Sequence, residues 1–296
     1  MKKTIKFGSR KSALALAQTK LVMDSVREAH PELETELVPM ETTGDRNMKP
    51  FSDVTDKFGI KGLFTQELED ALLSGKIDVA VHSLKDMPMF QDERLPLVAW
   101  SKREDARDVL VLRPGLTELP EEALTGCSSE RRRVQLQKLF PGIRIKPVRG
   151  NVNTRLRKLD EGEFDALVLA AAGLKRLGLG GRISRYFECD EIIPAPGQGI
   201  MVCQGRADED YYYLDAFSDS EGETASRAER AFSAELGGGC TAPVGAWLRS
   251  SGESFELCGF YADDEKQIAR RGKITGLCSE SATLAVELAR RLKGDD

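Results

Sequence analysis

No stretch of this chain approaches the roughly 18 uninterrupted apolar residues of a membrane span. Residues Met1 to Gly8 run straight into a strand-like pattern without the apolar h-region of a signal peptide, so export is not expected. Cysteine pairs are missing too: the six cysteines lie far apart, none forms C-x-x-C, and neither His30 nor His82 sits near one in sequence. A zinc site and a disulfide framework are therefore unsupported, and the cysteines read as thiols in a reducing, cytoplasmic compartment. Nor is there an excess of positive charge, with 43 Lys+Arg against 48 Asp+Glu and a net charge of -5. With no basic tract beyond Arg131–Arg133 and no aromatic platform, nucleic acid is disfavoured. Gly197-x-Gly199 lacks the spacing of a dinucleotide fingerprint. What is present, 296 residues with 41% hydrophobic and 31% charged, describes an ordinary globular protein of two or three domains.

The first half alternates strands and helices. Thr4–Phe7 reads as a strand, followed by Gly8-Ser9-Arg10 and an amphipathic helix with Leu14, Ala17, Leu21 and Val22 on its apolar face. Pro31 ends that helix and Glu36–Met40 is the next strand. The polar stretch 42–62 is long for a connection and reads as a lid or a disordered segment. A helix over 63–74 and an apolar strand at Ile77–Val81 lead into His82-Ser83-Leu84-Lys85-Asp86. After strand-like runs at Leu97–Ser101 and Asp108–Leu112 the pattern restarts. Ser128 and Ser129 are N-cap candidates for a helix to Leu139, Ile143–Val148 is a strand, and Asn151–Asp160 is a helix. Phe164–Ala170 is an uninterrupted apolar run, the mark of a strand covered on both faces. The halves share a plan, which predicts two similar α/β domains facing a cleft. Pro194–Gly199 is hinge-like. Beyond it come a helix (224–236), a Gly-Gly-Gly-Cys loop, strands near 244–248, 255–261 and 267–274, and a closing helix over 279–293, a small α+β domain.

Arginines concentrate at the ends of the expected strands: Arg10, Arg131, Arg132, Arg149, Arg155 and Arg176. Ligands of open α/β sheets bind outside the carboxyl ends of strands, beside helix N-termini, and guanidinium groups pair bidentately with carboxylates or phosphates. An acidic protein with a basic cleft implies a polyanionic small molecule; the plainer reading pairs each arginine with one of the many acids. Ser83, Lys85 and Asp86 leave one apolar strand together, where the carboxylate could stabilise a cation or shuttle a proton, or simply pair with Lys85 in a turn. Cys240 follows Gly237-Gly238-Gly239, which clears side chains from around the sulfur. No base is placed beside it by sequence, so a hydrolase-type nucleophile is unsupported while attachment of a prosthetic group stays open.

Eight stretches, in order, resemble the porphobilinogen deaminase family over essentially the whole chain. They are Gly8–Gln18, Lys61–Phe64, Val81–Pro88, Ser128–Arg132, Arg149–Leu156, Ala172–Leu177, Pro194–Gly199 and Gly238-Gly239-Cys240. The resemblance implies two α/β domains similar to periplasmic binding proteins flanking a cleft, plus a small C-terminal α+β domain with a three-stranded antiparallel sheet. The implied boundaries are 1–100 with 199–217, 101–198, and 218–296. It implies a dipyrromethane cofactor bound through a thioether to Cys240, and head-to-tail condensation of four porphobilinogens with loss of ammonia, followed by hydrolytic release of hydroxymethylbilane. Asp86 is the implied catalytic residue. Arg10, Ser12, Ser83, Lys85, Ser128, Ser129, Arg131, Arg132, Arg149, Arg155, Arg176 and Gln198 are the implied cofactor- and substrate-binding residues, with Phe64 over a pyrrole ring and 46–60 as the lid. A monomer is implied, with neither metal, nucleic acid nor membrane as partner. Four positions depart from the family pattern: Cys127 stands where Thr is usual, Glu130 where an apolar residue is common, Ile60 where glycine is common, and Gln204 where an acid is usual. The competing expectations are a solute-binding or sensor protein with the same cleft, or a pyrrole-binding relic without turnover.

Overall fold

A computed structural model describes residues 4–42, 59–238, 243–263, 265 and 267–294, with the backbone alone over 59–64. The chain divides into two compact units, Met1–Arg103 with Ile200–Glu223, and Glu104–Gly199 with Thr224–Asp296.

In the first unit β1 (Thr4–Arg10), β2 (Glu34–Met40), β3 (Val79–Ser83), β4 (Leu97–Trp100) and the late strand β10 (Met201–Gln204) form one sheet in the order β2-β1-β3-β10-β4. β1 is parallel to both neighbours, and β10 is antiparallel to both of its own. The second unit repeats this with β5 (Asp108–Leu112), β6 (Leu124–Gly126), β7 (Arg144–Lys146), β8 (Ala166–Ala170) and β9 (Arg185–Tyr186), ordered β7-β6-β8-β5-β9. β6 is parallel to β7 and β8, and β5 is antiparallel to β8 and β9. The shared plan read from the sequence is thus a shared strand order, with β10 and β5 as equivalents. β3, β5 and β8 are buried along nearly their whole length, which is why they read as unbroken apolar runs. The sequence pattern did not reveal β6, β9 or β10. Each spans two to four residues, too few for a periodicity to register.

One expectation is corrected. Of the expected face Leu14, Ala17, Leu21 and Val22, helix α1 (Ala13–Ala29) buries only Val22: its buried residues are Gln18, Thr19, Val22, Met23 and Val26, Leu14 and Ala17 are half-buried, and Leu21 is 48% exposed. Two polar residues on the inner face disguise the stripe. Gly8 on β1 lies where a Cβ would run into Ile77 and Leu68, the latter from helix α2 (Gly59–Leu73), so the close approach there excludes a side chain.

The second unit also holds α3 (Glu130–Leu139), α4 (Val152–Asp160), α5 (Ala171–Arg176) and a C-terminal meander of β11 (Val244–Ser251), β12 (Ser254–Asp263) and β13 (Ile268–Leu277). Helix α6 (Ser220–Glu235) precedes this sheet and α7 (Ser281–Lys293) closes it. Ile193, Cys258, Phe260 and Ala262 form its core with Val134 of α3, which ties the meander to the rest of that unit. The buried Glu229 of α6 accepts from Gly197 N and Leu248 N, each at 2.7 Å.

Candidate active site

β1 and β3 are parallel neighbours, so their carboxyl ends release polar segments side by side. β1 ends in Arg10, and Ser12 caps α1 by accepting from Ala15 N at 3.3 Å. β3 ends in Ser83 and enters a single 3₁₀ turn, Leu84–Asp86, anchored by Leu84 N donating to Ile200 O at 3.0 Å. Arg10, Ser12, Gln18, Thr65, His82, Ser83 and Asp86 line one open depression. Asp86 is exposed there, and the neighbouring Lys85 is half-buried. Ser83 Oγ is held by Gln18 Nε2 at 2.9 Å. The His82 ring is buried, and that burial, followed by the charge of Arg10, pushes its pKa down from 6.5 to about 4; Gln204 and Asp86 act in the opposite direction.

The second unit gathers the other arginines around β5, β6 and β8. Ser129 caps α3, accepting from Arg132 N at 3.5 Å. Ser128 instead ties two loops, its Oγ donating to Val148 O at 2.7 Å and accepting from Val148 N at 2.9 Å. Arg131 and Arg132 are 4% and 8% exposed and converge on the fully buried Asp108 of β5. Arg131 Nη1 donates to Asp108 Oδ2 at 2.8 Å and to Ile193 O at 2.7 Å. Arg132 Nε and Nη2 donate to Asp108 Oδ1 at 3.0 and 2.7 Å. Gln198 Nε2 donates to the same oxygen at 2.8 Å and to Ala106 O at 2.7 Å. Burial alone would raise the Asp108 carboxyl, but the charges and hydrogen bonds of the two arginines outweigh it and hold it well below the carboxylate range. For these two arginines, then, the internal acid is a partner, and any ligand carboxylate would share them with Asp108. Glu130 pairs with Arg133 rather than with Arg131 or Arg132. Arg149 is half-buried, Arg155 Nε donates to Gly150 O at 2.8 Å, and Arg176 Nη2 donates to Gly199 O at 2.6 Å. Burial pushes the Arg176 pKa down to about 10.

Cys240, residues 46–58 of the expected lid and the side chains of Ile60 and Phe64 lie outside the described residues. Asp108, Gln18, Thr65 and His82 were not assigned from sequence. Polar residues inside apolar runs, Gln18 on the inner face of α1 and Asp108 heading Val109–Leu112, were the available signal. Cys127 is buried with its Sγ 3.7 Å from Ser129 O. Among the described residues no group of three His, Cys, Asp or Glu is placed to hold a metal, and no helix is long and apolar enough to cross a membrane.

Residues 5–213 match the family model described as "Porphobilinogen deaminase, dipyromethane cofactor binding domain", and residues 224–294 match "Porphobilinogen deaminase, C-terminal domain". The chain belongs to the porphobilinogen deaminase family. The porphobilinogen deaminase of Acetivibrio thermocellus is 50% identical over 293 residues, covering 99% of both chains. That of Alkaliphilus oremlandii is 47% identical over 292 residues, covering 99% of this chain and 97% of its own. Among solved structures, the methionine-binding protein MetQ is similar with a TM-score of 0.46 and 14% identity, over 76% of this chain and 94% of that one. The family makes the chain a transferase of tetrapyrrole biosynthesis that polymerises porphobilinogen with a dipyrromethane cofactor. The residues present fit that carboxylate-rich group. Two buried guanidiniums share one carboxylate, Arg131 Nε is buried without a partner, and the Asp86 depression sets Arg10 and two serine hydroxyls beside a single acid.

Proposed function

We propose that the chain condenses four porphobilinogens head to tail and releases hydroxymethylbilane by hydrolysis, with Asp86 as the central catalytic residue and Cys240 as the thioether attachment point of dipyrromethane. The observation that carries this reading is the exposed Asp86 on its 3₁₀ turn, lining the same depression as Arg10, Ser12 and Ser83. When bound, dipyrromethane supplies a pyrrole with a free α-carbon as nucleophile. Each condensation breaks the aminomethyl C–N bond of one porphobilinogen, releases ammonia, forms a C–C bond and frees the α-proton. Loss of ammonia leaves an azafulvenium cation. The Asp86 carboxylate accepts hydrogen bonds from pyrrole N–H groups, opposes that positive charge, and takes and returns the proton.

Arg10, Ser12, Ser83 and Lys85 would hold substrate carboxylates near Asp86, with Phe64 over a ring and 46–60 as a lid. Ser128, Ser129, Arg149, Arg155 and Arg176 would hold further acetates and propionates, while Arg131, Arg132 and Gln198 would do so with Asp108 as their common anchor. The domains would run 1–100 with 199–217, 101–198 and 218–296, in a cytoplasmic monomer needing neither metal nor nucleic acid. Intact mass tests the reading. The purified protein should exceed its sequence mass by two porphobilinogens less two ammonias, on the peptide containing Cys240. A bare chain that stays bare after incubation with porphobilinogen would overturn it.

A further inference from the structure

Thr65 and His82 line the Asp86 depression, and with Glu69 and Gln204 behind them they form a polar cluster to which no catalytic role has been given. Thr65 and Glu69 stand one turn apart on α2, His82 is on β3 and Gln204 on β10. Ala80 faces Gln204 across the ladder and Val202 faces His82, so all four side chains share one face of the sheet, with His82 and Gln204 on a diagonal. Gln204 is fully buried and its amide orientation is determined by its neighbours: Nε2 donates to Leu95 O at 3.0 Å and to Glu69 Oε1 at 3.3 Å. Reversing the amide would set its oxygen against a carbonyl and a carboxylate, so Oε1 must point the other way. Oε1 is buried with no partner, and so is His82 Nε2 on a ring only 7% exposed. An amide oxygen can only accept. A small side-chain rotation that brought the two orphans together would satisfy both, provided Nε2 carries the proton.

We propose that Gln204 is a positioning residue that locks His82 as the neutral Nε2–H tautomer, leaving Nδ1 as the ring's only acceptor beside the Asp86 pocket. The charged groups around the ring are Arg10 from β1, Asp86 from the 3₁₀ turn and, behind Gln204, Glu69 of α2 with Asp92 nearby. An imidazolium there would add to Arg10 and oppose the cation that forms when ammonia leaves. A neutral ring leaves the developing charge to Asp86 alone. The role in turnover rests on the assignment of Asp86; the tautomer does not.

The chain has two histidines, so ¹⁵N-histidine labelling of the holoenzyme gives two ring systems, and His30→Asn identifies His82. His82 should show a protonated Nε2 and a bare Nδ1 unchanged from pH 8 to 5.5. In Gln204→Glu the midpoint of His82 should rise by at least about one pH unit, the effect of a carboxylate beside the ring. In Gln204→Met, which keeps the volume and removes the acceptor, both tautomers should appear, and kcat should fall about tenfold with KM nearly unchanged. A protonated Nδ1 or a tautomer mixture in the unsubstituted protein overturns the lock. An intact lock whose loss in Gln204→Met leaves kcat unchanged overturns its part in turnover. Loss of kcat in Asp86→Asn to no greater extent than in Gln204→Met would instead overturn the Asp86 reading while leaving the lock in place.

Discussion

The two five-stranded sheets share one strand order and place opposite chemistry at equivalent points. After β3 comes a 3₁₀ turn that ends on an exposed carboxylate, Asp86; after the equivalent β8 comes α5, whose last turn carries Lys175 and Arg176. The inserted strands differ as well. β5 begins with the fully buried Asp108 opposite Ala170, where β10 sets Met201 opposite Ser83. A shared backbone plan therefore fixes where a site can form, and the residues at strand ends decide whether it presents an acid to a cation or cations to carboxylates. The second sheet needs a buried anion because two guanidiniums without one would be an uncompensated double charge. The first sheet tolerates a neutral buried histidine at the corresponding end.

Four substitutions or titrations sharpen that contrast. Asp86→Asn should lower turnover by at least about a hundredfold while the covalent cofactor stays in place, since removing a group that opposes transition-state charge has effects of that size. Near-normal rates on a loaded protein would take Asp86 out of its role. Asp108→Asn should act on stability instead, by about 3–5 kcal/mol in urea unfolding, because breaking a buried pair leaves the other charges unpaired. A change below about 1 kcal/mol would mean that the arginine pair is solvated in solution.

The third concerns His82, whose folded pKa lies near 4 against 6.5 for the free side chain. A lowered histidine pKa means that the folded state prefers the neutral ring. Its contribution is complete above pH 6.5 and is lost as pH falls toward 4, by up to about 3 kcal/mol. The stability difference between the unsubstituted protein and His82→Asn should narrow across that window, and parallel curves would contradict the burial of the ring. The smallest effect is expected at Arg157, paired with Glu161 on the exposed face of α4 with 62% of its side chain in solvent. Arg157→Gln should change stability by about 0.3–0.5 kcal/mol at most, and less in high salt.

Much of the fold was legible because its strands announce themselves. Val109–Leu112 and Leu167–Leu169 are apolar without interruption, and Pro and Gly punctuate the rest. The inner face of α1 was not, because Gln18 and Thr19 occupy positions where hydropathy predicts leucine. β10 was hidden because four residues after a Pro-Gly-Gln-Gly turn read as a hinge. The family motifs made Asp86 and the strand-end arginines visible as candidates, and among the described residues Arg10, Ser12, Ser83 and Asp86 do line one depression.

The sequence alone determined the family, the α/β alternation and which residue types stand at strand ends, since each depends on local pattern or on motifs carried within a few residues. Only the tertiary structure decided that Asp108 anchors Arg131, Arg132 and Gln198, and that His82 and Gln204 stand on one face of the sheet, diagonally across β3 and β10. Those pairings join segments far apart in the chain, and what selects them is strand register together with the cost of leaving any buried polar atom without a partner.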